Sequence, residues 1–336
     1  MSKAIVKWLT LFLLACLIPV YSLTACSPQQ AAETTSSPTI KTLTVGASPW
    51  PGFSAHYVAM AKDFYKAEGV DVKEVYFSVG SDANTALLAR KLDAVMTGIP
   101  DLVIMAARDP SLRLIMLSDY SNGSDGILGR NITKPEDLKG KKVARENLFL
   151  EVLLLQKYLE KGGLTEKDVV IIDTPAANAA AAFVAKQVDV AVTYEPWLTK
   201  AAKEGKGELI FSSKGTNIIP DGLVTTKKVI QDHKPELLAY MRAIDKAVKL
   251  INEKPEETTE IIAKKLGISP KEVPQQVNGV RLFDIKGNQA VVFNPNESMN
   301  VADSLIFAAK TAKERNLTPN LVDAKTLCDD SLIKSL

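Results

Sequence analysis

Two stretches of this chain share one pattern, and that pattern restricts what the chain can fold into. Leu92-Asp93-Ala94-Val95-Met96-Thr97-Gly98-Ile99-Pro100 and Val188-Asp189-Val190-Ala191-Val192-Thr193-Tyr194-Glu195-Pro196 both read apolar, Asp, three residues, Thr, two residues, Pro. Each apolar run suits a short strand, and each proline suits the first turn of a following helix. The surrounding sequence keeps the same rhythm. Strands are expected at Leu43 and Val45, Val72–Phe77, Ala94–Thr97 and Leu112–Leu117, with a helix from Ser54 to Glu68 stopped by Gly69. Ser81 or Asp82 is expected to cap the next helix. The second block repeats this: a strand at Lys142–Ala144, a helix over Leu148–Lys161, a buried strand at Val169–Ile172, an alanine-rich helix over Pro175–Lys186 and a strand at Val188–Thr193. The expected fold class is α/β, with largely parallel sheets.

Two similar blocks imply two lobes. In open α/β sheets, ligands bind beyond the carboxyl ends of the strands, where loops and helix N-termini converge. Two such edges facing each other make a cleft able to close about a hinge. Asp119–Gly126, glycine-rich and following a strand, suits the first crossing between lobes, and Ile219-Pro220-Asp221-Gly222 suits the return. The expected organisation is a first lobe over 42–122, a second over 123–221, and a return to the first over 222–336. From Pro235 onward the chain reads as mainly helical, with Leu237, Leu238, Met241, Ile244, Val248 and Ile251 at helical spacing.

Residues 1–25 have the features of an export signal: Lys3 and Lys7, then a short apolar run from Trp8 to Val20, too short to cross a bilayer. Leu23-Thr24-Ala25-Cys26 resembles the bacterial lipobox, in which the cysteine carries lipid. Residues 26–41, rich in Ser, Thr, Gln and Pro, read as a flexible tether. The whole chain has 41 Lys and Arg against 39 Asp and Glu, and the only two charges in 1–25 are lysines. The mature chain is therefore balanced, with no basic block to bind nucleic acid. Of three cysteines, Cys16 leaves with the signal and Cys26 is the lipid site, so Cys328 has no partner for a disulfide. His56 and His233 sit in no ligand-spaced cluster, and no nucleophile elbow, Walker loop or HExxH helix is present. No metal and no cofactor are expected.

Several segments together resemble the substrate-binding components of ABC importers in the nitrate/sulfonate/taurine-type family, whose relatives include binders of thiamine-pyrimidine precursors. They are Ser48-Pro49-Trp50-Pro51-Gly52, Ala61–Val72, Leu92-Asp93-Ala94, Pro135–Ala144 and Tyr194-Glu195-Pro196-Trp197. The resemblance implies a bilobal periplasmic-binding-protein fold of type II, two α/β lobes on a two-stranded hinge, and capture of a small solute rather than catalysis. It implies importer permease subunits as partners, a lipid-held position outside the cell, and a monomer. One segment departs from the family. Where relatives carry a small hydroxyl-bearing stretch, this chain has Arg145-Glu146-Asn147-Leu148-Phe149, in which Glu146 would repel an anion and Arg145 attract one.

The candidate ligand contacts are Trp50, Gly52, Ser81, Thr97, Asp125, Asn147, Tyr194, Glu195 and Trp197. Each has a second reading. Trp50 is a ligand wall or packs under its loop; Ser81 touches ligand or caps a helix; Thr97 ends a strand; Asp125 meets ligand or turns the chain. Glu195, flanked by Tyr194 and Trp197, meets an amine on the solute or caps the following helix. His56 reads as part of a helix start rather than as a base. The favoured solute is amine-bearing, either taurine-like or aminopyrimidine-like. The rival function is an enzyme on the same scaffold, related to pyrimidine-precursor synthases.

Overall fold

The computed structural model describes residues 41–336. The signal segment, Cys26 and all but the last residue of the tether lie outside them. The described residues start with β1 (Thr42–Ala47), β2 (Asp71–Tyr76), β3 (Ala94–Gly98) and β4 (Leu112–Ser121). It crosses at 122–124 into β5 (Asp125–Gly129), β6 (Lys142–Arg145), β7 (Val170–Asp173), β8 (Val190–Tyr194) and β9 (Glu208–Ser212). It returns over 213–219 to β10 (Pro220–Thr226) and later adds β11 (Val280–Leu282). Two sheets result, ordered β11-β4-β10-β3-β1-β2 and β7-β6-β8-β5-β9. Parallel pairing is confined to one side of each sheet, β1 with β2 and β3, and β6 with β7 and β8, so the sheets are mixed rather than largely parallel as expected.

Two of the antiparallel strands create the site. β10 runs antiparallel to β3 and β4, and β5 runs antiparallel to β8 and β9. Each is the first strand after a crossing. It therefore brings its first residues to the edge where its neighbours end. Asp221 stands opposite Gly98 and Asp119, and Asp125 stands opposite Tyr194. The crossings are stitched together by a buried hydroxyl pair, Ser121 Oγ to Ser213 Oγ at 2.7 Å, and the Gly123 N–H donates to Ser213 Oγ at 2.8 Å.

The helices α1 (Ser54–Ala61), α2 (Phe64–Ala67), α3 (Gly80–Leu88), α4 (Ile99–Ala106), α5 (Phe149–Glu160), α6 (Ala176–Val184) and α7 (Trp197–Gly205) accompany the strands before the return. α8 (Lys227–Asp232) and α9 (Lys234–Glu253) come after it. α9 packs on α1, burying Leu237, Met241, Ile244, Val248 and Ile251 as their spacing predicted. Each such side chain contributes about 1.5–3 kcal/mol on leaving water. The C-terminal segment stays with the first sheet, where Cys328 bridges to Leu114 beside β4.

Four local expectations need correction. The helix expected over 54–68 is two helices, because Asp63 adopts a left-handed φ of 55° and interrupts the backbone ladder. Val169–Ile172 is not a buried strand: β7 is an edge strand with one neighbour, and Val170 is 51% exposed. The crossings are shifted: the first is shorter than expected, since β4 continues through Ser121, and the return lies earlier, over 213–219, since β10 already begins at Pro220. Neither Ser81 nor Asp82 caps α3, whose N-cap is Val79 with no side-chain bond.

Candidate functional site

A small cavity lies where the two strand edges meet. Its walls come from both sheets: Trp50, Phe53 and Thr97 on one side, Tyr194, Leu148 and Leu150 on the other. Asp125 and Asp221 add to the lining, and among the described residues no Lys, Arg or His lines it. Its volume is about 30 Å³, against ~150 Å³ for an apolar cavity that admits benzene. A solute of that size requires the walls to part. A Cβ on Gly98 would overlap Leu150, so the glycine lets the two walls meet this closely.

Trp50 precedes the Pro51–Phe53 turn, which holds the indole inward and 5% exposed. Its Nε1–H donates to both carboxylate oxygens of Asp119, each at 3.2 Å. Across the cavity its ring meets Tyr194 edge-on, with centroids 5.9 Å apart. Gly52 supports this pair instead of facing the cavity. A Cβ there would overlap the Asp119 carboxylate, so only glycine fits.

The site is dominated by buried acids. Asp119, Asp125 and Asp221 are at most 5% exposed, and Asp125 Oδ2 and Asp221 Oδ2 have no hydrogen-bond partner among the described residues. Burial pushes the Asp125 carboxyl up to about 7, with Glu195 adding like-charge repulsion. Burial likewise raises Asp221 well above the carboxylate range, with Asp119, Asp125 and Asp101 adding to it, and raises Asp119, with Asp125 adding to it. A desolvated carboxylate without a cation or donors is costly. Two such groups turned toward one cation-free cavity fit a ligand that carries positive charge and N–H donors. The faces of Trp50 and Tyr194 suit the same charge.

A family model described as NMT1/THI5 like matches residues 50–258, more than half of the chain. The chain belongs to the NMT1/THI5-like family. Among curated relatives, a putative aliphatic sulfonates-binding protein of Bacillus subtilis (strain 168) is 26% identical over 191 residues, which are 56% of this chain and 58% of that protein. The taurine-binding periplasmic protein of Escherichia coli (strain K12) is 23% identical over 76% of this chain and 81% of its own. Among solved structures, the alkanesulfonate-binding protein SsuA from Xanthomonas axonopodis pv. citri bound to MOPS superposes with a TM-score of 0.69 at 20% identity, covering 86% of this chain and 98% of that one. The desulfurization enzyme DSZB superposes with a TM-score of 0.64 at 17% identity, covering 88% of this chain and 98% of its own. The fold is therefore the bilobal one of periplasmic binding proteins, and it also carries at least one enzyme. The named curated relatives are binding proteins.

In this family member, four of the sequence candidates line the cavity: Trp50, Thr97, Asp125 and Tyr194. The others lie elsewhere. Ser81 and Asn147 border a neighbouring cavity of about 440 Å³, and Asn147 is exposed. Trp197 packs edge-on against Tyr194 at 5.0 Å and faces a separate surface hollow between α6 and α7. Glu195 turns away from the cavity. Its carboxylate accepts from the Thr199 N–H at 3.2 Å and the Thr199 hydroxyl in the first turn of α7, and from Gln276 Nε2 at 2.7 Å. Of its two readings, the structure displays helix capping. Asp125 is the first residue of β5, and its N–H is held by Ser121 Oγ at 3.3 Å.

Asp221 and Asp119 were not recognised as site residues, although both stood in the segments assigned to the crossings. Only the antiparallel direction of β10, which the sequence does not display, aims Asp221 at the cavity. His56 is a buried residue in the first turn of α1, its Nδ1 2.7 Å from the Tyr65 hydroxyl and 3.0 Å from that of Tyr240. Burial lowers its pKa to about 3, with Lys265 adding to this, so it stays neutral and structural. Among the described residues no group of three or more His, Cys, Asp or Glu is arranged to hold a metal, and no helix is long and apolar enough to cross a membrane.

Proposed function

We propose that this protein is the solute-binding component of an ABC importer, held outside the cell by lipid on Cys26, and that it captures a small amine-bearing solute by closing two lobes. The observation that carries the solute class is the pair of buried carboxylates of Asp125 and Asp221 beside Trp50 and Tyr194, each with one oxygen that has no hydrogen-bond partner among the described residues. The importer role rests on the fold and on relatives named for binding sulfonates and taurine. Both of those solute classes contain an anionic group, and taurine also bears the amine that the two carboxylates call for.

Among the described residues the crossings at 122–124 and 213–219 are the chain links between the two sheets, and they make a natural hinge. Contacts available only with the cleft shut favour the closed state when solute is present. Mass spectrometry of material released from freshly purified protein is expected to show a cationic metabolite, unchanged on release. Adding it back is expected to reduce the radius of gyration relative to solute-free protein in solution scattering, and to raise the melting temperature. A released inorganic anion, conversion of the metabolite, or tight binding without compaction would each count against this reading.

The anchor is tested separately. Lipid holds a protein on a membrane by burying methylenes, and Cys26 lies well before β1 in the chain. Cys26→Ser is expected to move the protein from the membrane to the soluble exported fraction with an unchanged melting temperature. Equal recovery of variant and parent in membranes would refute lipidation at this cysteine.

A further inference from the structure

In this chain the cleft-facing helix N-termini are already occupied by the protein's own acids. Glu146 follows β6 in the second lobe and is 3% exposed. Its Oε1 accepts from the Ser81 N–H at 3.0 Å, in the first turn of α3 on the first lobe. Its Oε2 accepts from the Ala176 N–H at 3.2 Å, at the start of α6 on its own lobe, and from the Tyr194 hydroxyl at 3.4 Å. One carboxylate thus joins two helix starts across the cleft. Asp101 does the converse. It leaves α4 on the first lobe and accepts from the N–H groups of Phe149 and Leu150, at 2.8 and 3.3 Å, at the start of α5 on the second.

Helix N-termini attract anions because their first N–H groups lack intrahelical partners and the helix dipole points its positive end there. A sulfonate or phosphate oxygen spanning the cleft would need the donors that Glu146 holds. It would also meet Glu146 itself, Asp125 and Asp221 at close range. Like charges in a desolvated site repel strongly.

We propose that Glu146 is a built-in anion that determines specificity: it fills the oxyanion position between α3 and α6, so the pocket rejects sulfonates and other acids and takes cations that lack an acidic group. This deepens the amine-solute reading and rests on it for the cationic half. Taurine, with its sulfonate, is thereby excluded, and an amine or aminopyrimidine without an acid remains.

The test uses the full folded domain and titrates ethanesulfonate, taurine and sulfate by calorimetry and by thermal shift. The parent protein is expected to bind none of them below about 10 mM. Glu146→Ala frees the Ser81 and Ala176 N–H groups and is expected to gain at least tenfold in affinity for ethanesulfonate, with a melting temperature that rises on adding it. If the alanine variant does not fold, Glu146→Gln removes the charge at constant shape, and a smaller gain of the same sign is expected. Sub-millimolar sulfonate binding by the parent would overturn the proposal. So would folded variants that remain blind to anions. None of these arms needs the cationic solute, so failure of the amine reading, seen as no amine bound by the parent, is a separate result.

Discussion

Asp125→Asn is expected to lose the cationic solute and to leave the empty protein more stable than its parent. The two effects have one cause. In the empty protein the Asp125 carboxylate is buried, one of its oxygens has no partner, and burial raises its pKa to about 7. Keeping that charge in the fold opposes folding. An amide has the same shape without the charge, so the variant's melting temperature should rise, as it does where binding groups are held at the expense of stability. With an ammonium in the cavity the balance reverses. The carboxylate then has its partner, and its removal leaves the cation buried and unpaired. Loss of one member of a buried charge pair costs about 2–5 kcal/mol, or roughly 30- to several-thousand-fold in affinity. Asp221→Asn should behave alike, because its Oδ2 is equally unpartnered. Calorimetric titration and thermal melts of the same samples decide the matter. Unchanged affinity, or a variant less stable than its parent without solute, would rule out these acids as the cation subsite.

The sequence made the scaffold legible because the scaffold rests on periodicity. The apolar spacing of Leu237, Met241 and Ile244 and the repeated strand–turn–proline unit each follow from what a helix or strand face must bury. Strand direction was not legible. β5 and β10 contain ordinary strand residues, and nothing in them announces that they run against their neighbours. Yet that reversal alone places Asp125 and Asp221 at one edge. Trp50, Thr97 and Tyr194 were found because strand-end position is a local property. Glu195 was ambiguous for the same reason. An acid before a proline-led helix start reads equally well as a ligand group and as a cap, and only the positions of the Thr199 N–H and Gln276 separate the two. Glu146 was seen to oppose an anion, but its partner Ser81 lies 65 residues away on the other lobe, and no local pattern records that pairing.

Acidification from pH 8 to pH 5 is expected to stabilise the empty protein and to weaken binding of an amine. In an unfolded chain Asp125 titrates near about 3.9, whereas burial in the fold raises it to about 7. Between these values the folded state holds a proton that the unfolded state has released. Stability therefore falls as pH rises through this window, by about 1.4 kcal/mol per unit for one such group, approaching 4 kcal/mol across it. Asp101, raised to about 7 by burial with Glu146 adding repulsion, contributes in the same direction. Carboxylates held low, such as Asp137 by the Thr133 N–H, lose their stabilising bonds only at more acidic pH, outside the window. Binding shows the opposite dependence. A cation needs Asp125 ionised, and at pH 5 a carboxyl of pKa about 7 must first give up its proton. For a primary amine that stays protonated from pH 5 to 8, affinity should therefore fall about a hundredfold on acidification, all of it from the protein. At saturating amine the difference in stability between pH 5 and pH 8 should shrink or reverse, since bound cation restores the ionised form. Affinity that is flat or rises toward pH 5 would mean that no carboxyl with this environment meets the solute's charge.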